Sequence, residues 1–187
     1  ARGGAAPALT RRGRPLVLRM VLPAGPEAAP LRRVGDRVAR MLDAVGIRAV
    51  PVRVAGGGYF RDHVAAGDFD LALYSWPATA YPATDARPVY AKPRPGADGA
   101  PMVEQNYTRV GTDQIDQLFR QAAGELDEGA ARALVRRADA RIWAAAGSIP
   151  LYQRPQLVAV RRSVANAGAF GFATPRYEDI GFRRGQR

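Results

Sequence analysis

An α/β fold, a mixed sheet flanked by helices, is the expectation for this sequence, and three observations carry it. Two β-branched apolar runs near the N-terminal end flank one helix-spaced apolar stripe, the strand–helix–strand order of a parallel pair with a crossover helix. Further along, two capped helical patterns follow one another. The chain of 187 residues is 47% hydrophobic and 24% charged, which is ordinary for a domain that buries a core.

The elements follow in order. Residues 1–14 are rich in Ala, Gly and Arg, have no clear period, and read as a disordered lead-in. "LVLRMVL", residues 16–22, is a strand closed by Pro23, Gly25 and Pro26. Leu31, Val34, Val38, Met41, Leu42 and Val45 recur at spacings of three and four, which predicts a helix over 28–45 with Gly46 as its C-terminal cap. "IRAVPVRVA" supplies a second strand, over 48–54. After Gly56-Gly57-Gly58, "YFRDHVAAG" predicts a short helix ended by Gly67, and "FDLALYSW" a third strand, over 69–75. Six prolines punctuate residues 77–103, an irregular surface stretch of a length that often carries function.

Thr112 is placed to cap a helix over 112–125, with Ile115, Leu118, Phe119 and Ala122 inward. Asp127 caps another over 128–146, with Ala131, Leu134, Val135, Ala138 and Ile142 inward. Glu128 stands at the spacing that pairs it with Arg132, and Trp143 reads as helix packing. "LYQRPQLVAV" is expected to form a last strand over 151–160, interrupted by Pro155. Residues 163–187 carry Phe170, Phe172, Tyr177 and Phe182 without a period.

Composition narrows the chemistry. Without cysteine there are no disulfides, thiolate metal sites or cysteine nucleophiles. No apolar run approaches the roughly 18 residues of a membrane span, and any targeting segment is expected to lie outside these residues. The net charge of +11 raises the question of nucleic acid. Lys92 is the only lysine, however, and the arginines are spread along the chain or gathered at its ends, as GC-rich coding would leave them. No helix-turn-helix, zinc finger or aromatic RNA-binding pattern accompanies them, so no nucleic acid is expected.

No catalytic set stands out. His63 is the only histidine, and no G-x-S-x-G elbow presents it with a serine. Asp62, His63, Asp68 and Asp70 match no metal spacing; Asp68 and Asp70 more simply open a strand after a turn. The triple glycine lacks the phosphate-binding patterns and reads as a turn. No catalytic residue, metal or cofactor is therefore expected, and the chain reads as a binding protein.

"GDFDLALYSW", residues 67–76, resembles a strand of the C-terminal lobe of the family 5 extracellular solute-binding proteins, the oligopeptide, dipeptide and nickel receptors of ABC importers. "NYTRVGTDQIDQLF" and the stretch running to "IPLYQRPQLVAV" are similar to the family's next signature: an Asn-containing turn, an "ID-x-L" helix, an Arg- and Ala-bearing helix and an "IPLY" strand. The resemblance covers roughly residues 15–165. It implies one lobe of a type II periplasmic-binding-protein-like, Venus-flytrap receptor. Residues 15–162 would form the C-terminal solute-binding lobe, and residues 163–187 would return to a first lobe missing here.

The function so implied is capture of an extracellular solute between two lobes, without catalysis, for an ABC permease. The protein would sit at the cell surface as a membrane-anchored lipoprotein. The alternative on the same fold is a non-transport regulatory or glycolipid-binding lipoprotein of the cell envelope. The implied ligand-facing residues are Trp76, Ala78, Thr79 and Tyr81, with Tyr59 nearby. Trp76 would be an apolar wall. Peptide-binding members place an aspartate three residues after this tryptophan to pair with the peptide's amino group. Thr79 stands at that position here, and without the carboxylate the neutral, aromatic-rich wall suits a sugar, a glycolipid or a bulky natural product better than a peptide.

Overall fold

The structure, a computed structural model, describes residues 6–77 and 79–184. The chain divides into two compact units, Ala1–Trp76 and Pro77–Arg187.

The first unit opens with a tight hairpin of β1 (Thr10–Arg11) and β2 (Arg14–Pro15), with Arg12 and Gly13 at positive φ between them. Leu9 N–H donates to Gly46 O at 2.8 Å. The expected disordered lead-in is thus an ordered turn over residues 10–15, held by main-chain bonds; residues 1–5 lie outside the described residues.

Behind it stands a parallel three-stranded sheet, ordered β4 (Arg48–Val54), β3 (Val17–Pro23), β5 (Leu71–Ala72). Central β3 pairs with β4 from Val17↔Arg48 to Pro23↔Val54, and with β5 at Met20↔Leu71 and Val21↔Ala72. Being central, it is covered on both faces, and Met20, Val21 and Leu22 are all buried. Pro51 is tolerated because β4 is an edge strand of this sheet.

Helix α1 (Ala29–Asp43) lies on the sheet through Val38, Ala39 and Leu42, against Met20, Leu22 and Ala49. Its approach is close at Gly35, where an added Cβ would stand 2.8 Å from Leu22 Cδ1. The sequence stripe is corrected at two positions. Met41 is turned off this face, Val45 lies beyond the helix end, and both are exposed. A π-helical turn, Tyr59–Ala65, packs on β3 and buries Tyr59 and Val64. The third strand is far shorter than expected. Its ladder covers only Leu71 and Ala72, because side chains take over the pairing on either side.

The second unit begins with two short helices, α2 (Pro82–Asp85) and α3 (Arg87–Tyr90), in the stretch expected to be irregular. A two-stranded antiparallel pair follows, β6 (Arg94–Pro95) with β7 (Pro101–Met102). Helices α4 (Asp113–Gly124) and α5 (Glu128–Ala145) then pack on each other. Their core is Ile115, Leu118, Phe119 and Ala138, lined by Tyr90, Leu134 and Ile142. Both expected caps form: Thr112 Oγ1 accepts from Ile115 N–H at 3.2 Å, and Asp127 Oδ1 from Ala130 N–H at 2.7 Å.

Trp143 is not packing. It stands about 100° round the helix from Ile142 and is half exposed.

The expected last strand does not form. Residues 151–160 are irregular and exposed, with Pro155 removing one donor and no strand partner among the described residues. A last antiparallel pair, β8 (Val164–Ala165) with β9 (Gly181–Phe182), closes the described chain.

Candidate ligand-binding site

In an open parallel sheet, ligands sit at the carboxyl ends of the strands, where the order reverses. In the first unit that point lies between β3 and β5, since the chain runs from β3 to β4 on one side and then to β5 on the other. The loop leaving β3 is gathered by Arg32. Its Nη1 donates to the carbonyls of Pro23, Ala24 and Gly25 at 3.2, 2.9 and 2.5 Å.

Three aromatic rings follow one another beyond β5. Tyr74 and Trp76 meet edge to face at 6.2 Å, and Tyr74 meets Phe60 of the π-helical turn in the same way at 6.0 Å. Trp76 is 36% exposed and Phe60 37%, so the two end rings present surface to solvent. Sequence reasoning named Trp76 and missed its two companions. A signal was available, because Tyr74 and Trp76 alternate along an extended segment and so share a face.

Tyr59 is buried, and its hydroxyl donates to Leu73 O at 2.8 Å. Burial pushes this phenol up to about 12. Its ring is therefore packing within the unit, next in sequence to the ring that is exposed.

At the opposite end of β5, Asp70 and Asp68 both hold Arg19. Asp70 Oδ2 accepts from Arg19 N–H at 2.7 Å, and Asp68 Oδ1 from Arg19 Nη2 at 2.5 Å. His63 Nδ1 lies 2.8 Å from Asp68 Oδ2. Arg19, and then His63, hold the Asp68 carboxyl below the ordinary carboxylate range.

The remaining expected residues belong to the second unit. The Thr79 hydroxyl donates to the Asp85 carboxylate and accepts from Tyr81 N–H at 3.0 Å. The Tyr81 side chain is 72% exposed at the start of α2. Thr79 and Tyr81 thus form one hydrogen-bonded turn, and Asp85, unnoticed in the sequence, supplies a carboxylate to it. Ala78 lies outside the described residues.

No family model matches the chain. Curated relatives do: it is 37% identical over 172 residues to the oligopeptide-binding protein OppA of Mycobacterium tuberculosis and of Mycobacterium bovis. That match takes in 92% of this chain and 27% of the relative, so the chain spans about a quarter of the length of the curated relatives it matches.

Among solved structures it is similar to the mannohexaose-bound periplasmic oligopeptide-binding protein of Thermotoga maritima. The TM-score is 0.61 at 19% identity, over 74% of this chain and 25% of that one. It is also similar to oligopeptide-binding AppA of Bacillus subtilis in complex with a nonapeptide. There the TM-score is 0.59 at 15% identity, over 75% of this chain and 26% of that one. The structural likeness establishes the fold, that of the periplasmic oligopeptide-binding proteins, and the OppA match shows that nearly the whole chain is similar to a part of such a protein.

Proposed function

We propose that this chain is the C-terminal lobe of an extracellular solute receptor, which holds its ligand between two lobes for an ABC permease and performs no chemistry on it. The observation that carries this reading is the row Phe60, Tyr74 and Trp76 at the carboxyl ends of the parallel strands, with two rings presenting surface to solvent. Rigid aromatic faces give contact area with few rotors to freeze, which suits a wall and not a reacting centre. Residues 15–162 form the lobe, and residues 163–187 return to the first lobe. An extracellular, lipid-anchored location follows from the same reading.

In the first unit Trp76 faces the ligand, and Phe60 joins it through the aromatic row; in the second, Thr79 and Tyr81 face it from their own hydrogen-bonded turn. Tyr59 supports the wall from behind. For the ligand class, the relatives' name and the nonapeptide complex favour an oligopeptide, and the mannohexaose complex favours a sugar. Asp85 adds weight to the peptide, because its carboxylate lies against Thr79, the position where the resemblance implies an aspartate for the peptide's amino group.

The test is calorimetric titration of a receptor carrying both lobes, with oligopeptides and with mannohexaose, in wild type and Trp76→Ala. The substitution is expected to weaken binding by about 1–3 kcal/mol, the range for one aromatic anchor, while thermal melting changes little. Unchanged binding per folded molecule with a collapsed melting transition would make Trp76 a core residue and end this reading.

A further inference from the structure

We propose that Asp70 and Tyr59 are positioning residues that clamp β5 at its two ends and thereby set the aromatic row Phe60–Tyr74–Trp76. β5 contributes only Leu71 and Ala72 to the ladder with β3. Two rungs are too few to fix the direction of the four residues that follow them, yet the last of these is Trp76.

Side chains replace the missing rungs. Upstream, Asp70 N–H donates to Arg19 O at 3.2 Å, and Arg19 N–H donates back to Asp70 Oδ2 at 2.7 Å. Asp70 thus offers Arg19 both a donor and an acceptor, as a paired strand residue would. Downstream, Tyr59 O–H donates to Leu73 O at 2.8 Å. The second clamp also sets the π-helical turn in register with the segment leaving β5. Tyr59 is tied to Leu73, and the next residues on each side, Phe60 and Tyr74, are the pair that meets edge to face. A buried tyrosine and an acidic strand start, both of which look structural alone, therefore converge on the orientation of one row of rings. This inference rests on the reading of that row as a ligand wall, but its first measurement does not.

The experiment uses the 187-residue chain with Trp143→Phe, which leaves Trp76 as the only tryptophan. Tyr59→Phe removes one oxygen, Asp70→Ala removes the acceptor, and Asp70→Asn keeps an acceptor oxygen in place. Amide hydrogen exchange at Tyr74, Ser75 and Trp76 is read beside the near-ultraviolet dichroism of Trp76. In Tyr59→Phe and Asp70→Ala, exchange at these amides is expected to rise roughly tenfold, the factor one lost hydrogen bond supports, and the Trp76 band to flatten. Rates in β3 and β4 should hold, and Asp70→Asn should restore the wild-type signature.

Unchanged exchange and dichroism in Tyr59→Phe would overturn the proposal, and that variant carries the test if Asp70→Ala does not fold. An equal rise across β3, β4 and β5 would overturn it too, since the clamps would then hold the whole unit and not the row. Titration of the two-lobe receptor with oligopeptides and mannohexaose separates the two readings. If the row loosens as expected but neither ligand binds wild type, the positioning stands and the ligand wall falls.

Discussion

Tyr59 and Asp68 respond to pH in opposite directions, and each sign follows from its surroundings. Burial raises the Tyr59 phenol from 10.0 to about 12, so the folded state keeps a proton that the unfolded chain gives up. Its contribution to stability is complete below pH 10.0 and is lost as pH rises toward about 12. Wild type should therefore lose more stability than Tyr59→Phe across that window, as measured by urea unfolding at a series of alkaline pH values. Equal slopes would mean that the hydroxyl is not held as described.

Asp68 works from the other side. Arg19 first, then His63, depress its folded value, so its contribution is present above the ordinary carboxylate range and disappears as pH falls through the folded value. Asp68→Asn should flatten the acid limb of the stability curve. Because the pair is exposed, the difference should be small and should shrink in about 1 M salt. An effect that persists undiminished in salt would point to a role other than ion pairing.

Elements differ in how much of them could be read beforehand, and the difference has a physical cause. Helices α4 and α5 were legible because everything that defines them is local: Thr112 and Asp127 at the caps, a stripe from Ile115 to Ala122, and Glu128 at 3.0 Å from Arg132. The strands over 17–23 and 48–54 were legible because each finds a partner at once in the sequence order. β5 was overestimated and 151–160 misassigned for one reason. β-branched and aromatic content measures fitness for a sheet, not the presence of a neighbouring strand.

At the candidate site, Trp76 could be read and Phe60 could not, since its pairing with Tyr74 depends on how the π-helical turn is seated. Asn106 shows what the Asn-containing turn contributes. The side chain is wholly buried; its Nδ2 donates to Ala91 O at 2.7 Å and Val110 O at 2.9 Å, and its Oδ1 accepts from Thr108 Oγ1 at 2.7 Å. One amide ties the residue that follows α3, within the proline-rich stretch, to the loop that leads into α4. Asn106→Leu should cost about 3 kcal/mol by leaving several buried polar groups unpaired, read as a drop in the urea midpoint. A change near zero would mean that water takes over those bonds.

The whole chain shows one feature that neither unit resolves within itself. From Ile149 to Val160 it exposes Ile149, Leu151, Tyr152, Leu157, Val158 and Val160, in a segment without regular secondary structure or strand partners among the described residues. Leu157 is 89% exposed and its neighbour Val158 47%, so consecutive apolar side chains lie open to solvent. A contiguous apolar run left open in this way, with its backbone unpaired by strands, is a surface prone to association.

Two outcomes are expected for the chain by itself. Amides from Gln156 to Val160 should exchange close to the unprotected rate. The chain should also self-associate as concentration rises, followed by sedimentation velocity. Leu157→Asp should suppress that association while leaving the melting transition in place, since a side chain so exposed contributes little to folding. If the substitution instead lowers the melting temperature, Leu157 is packed within this chain and the segment is already part of its fold. If self-association persists unchanged, the adhesive surface lies elsewhere, and the half-exposed Trp143 on α5 becomes the next residue to substitute.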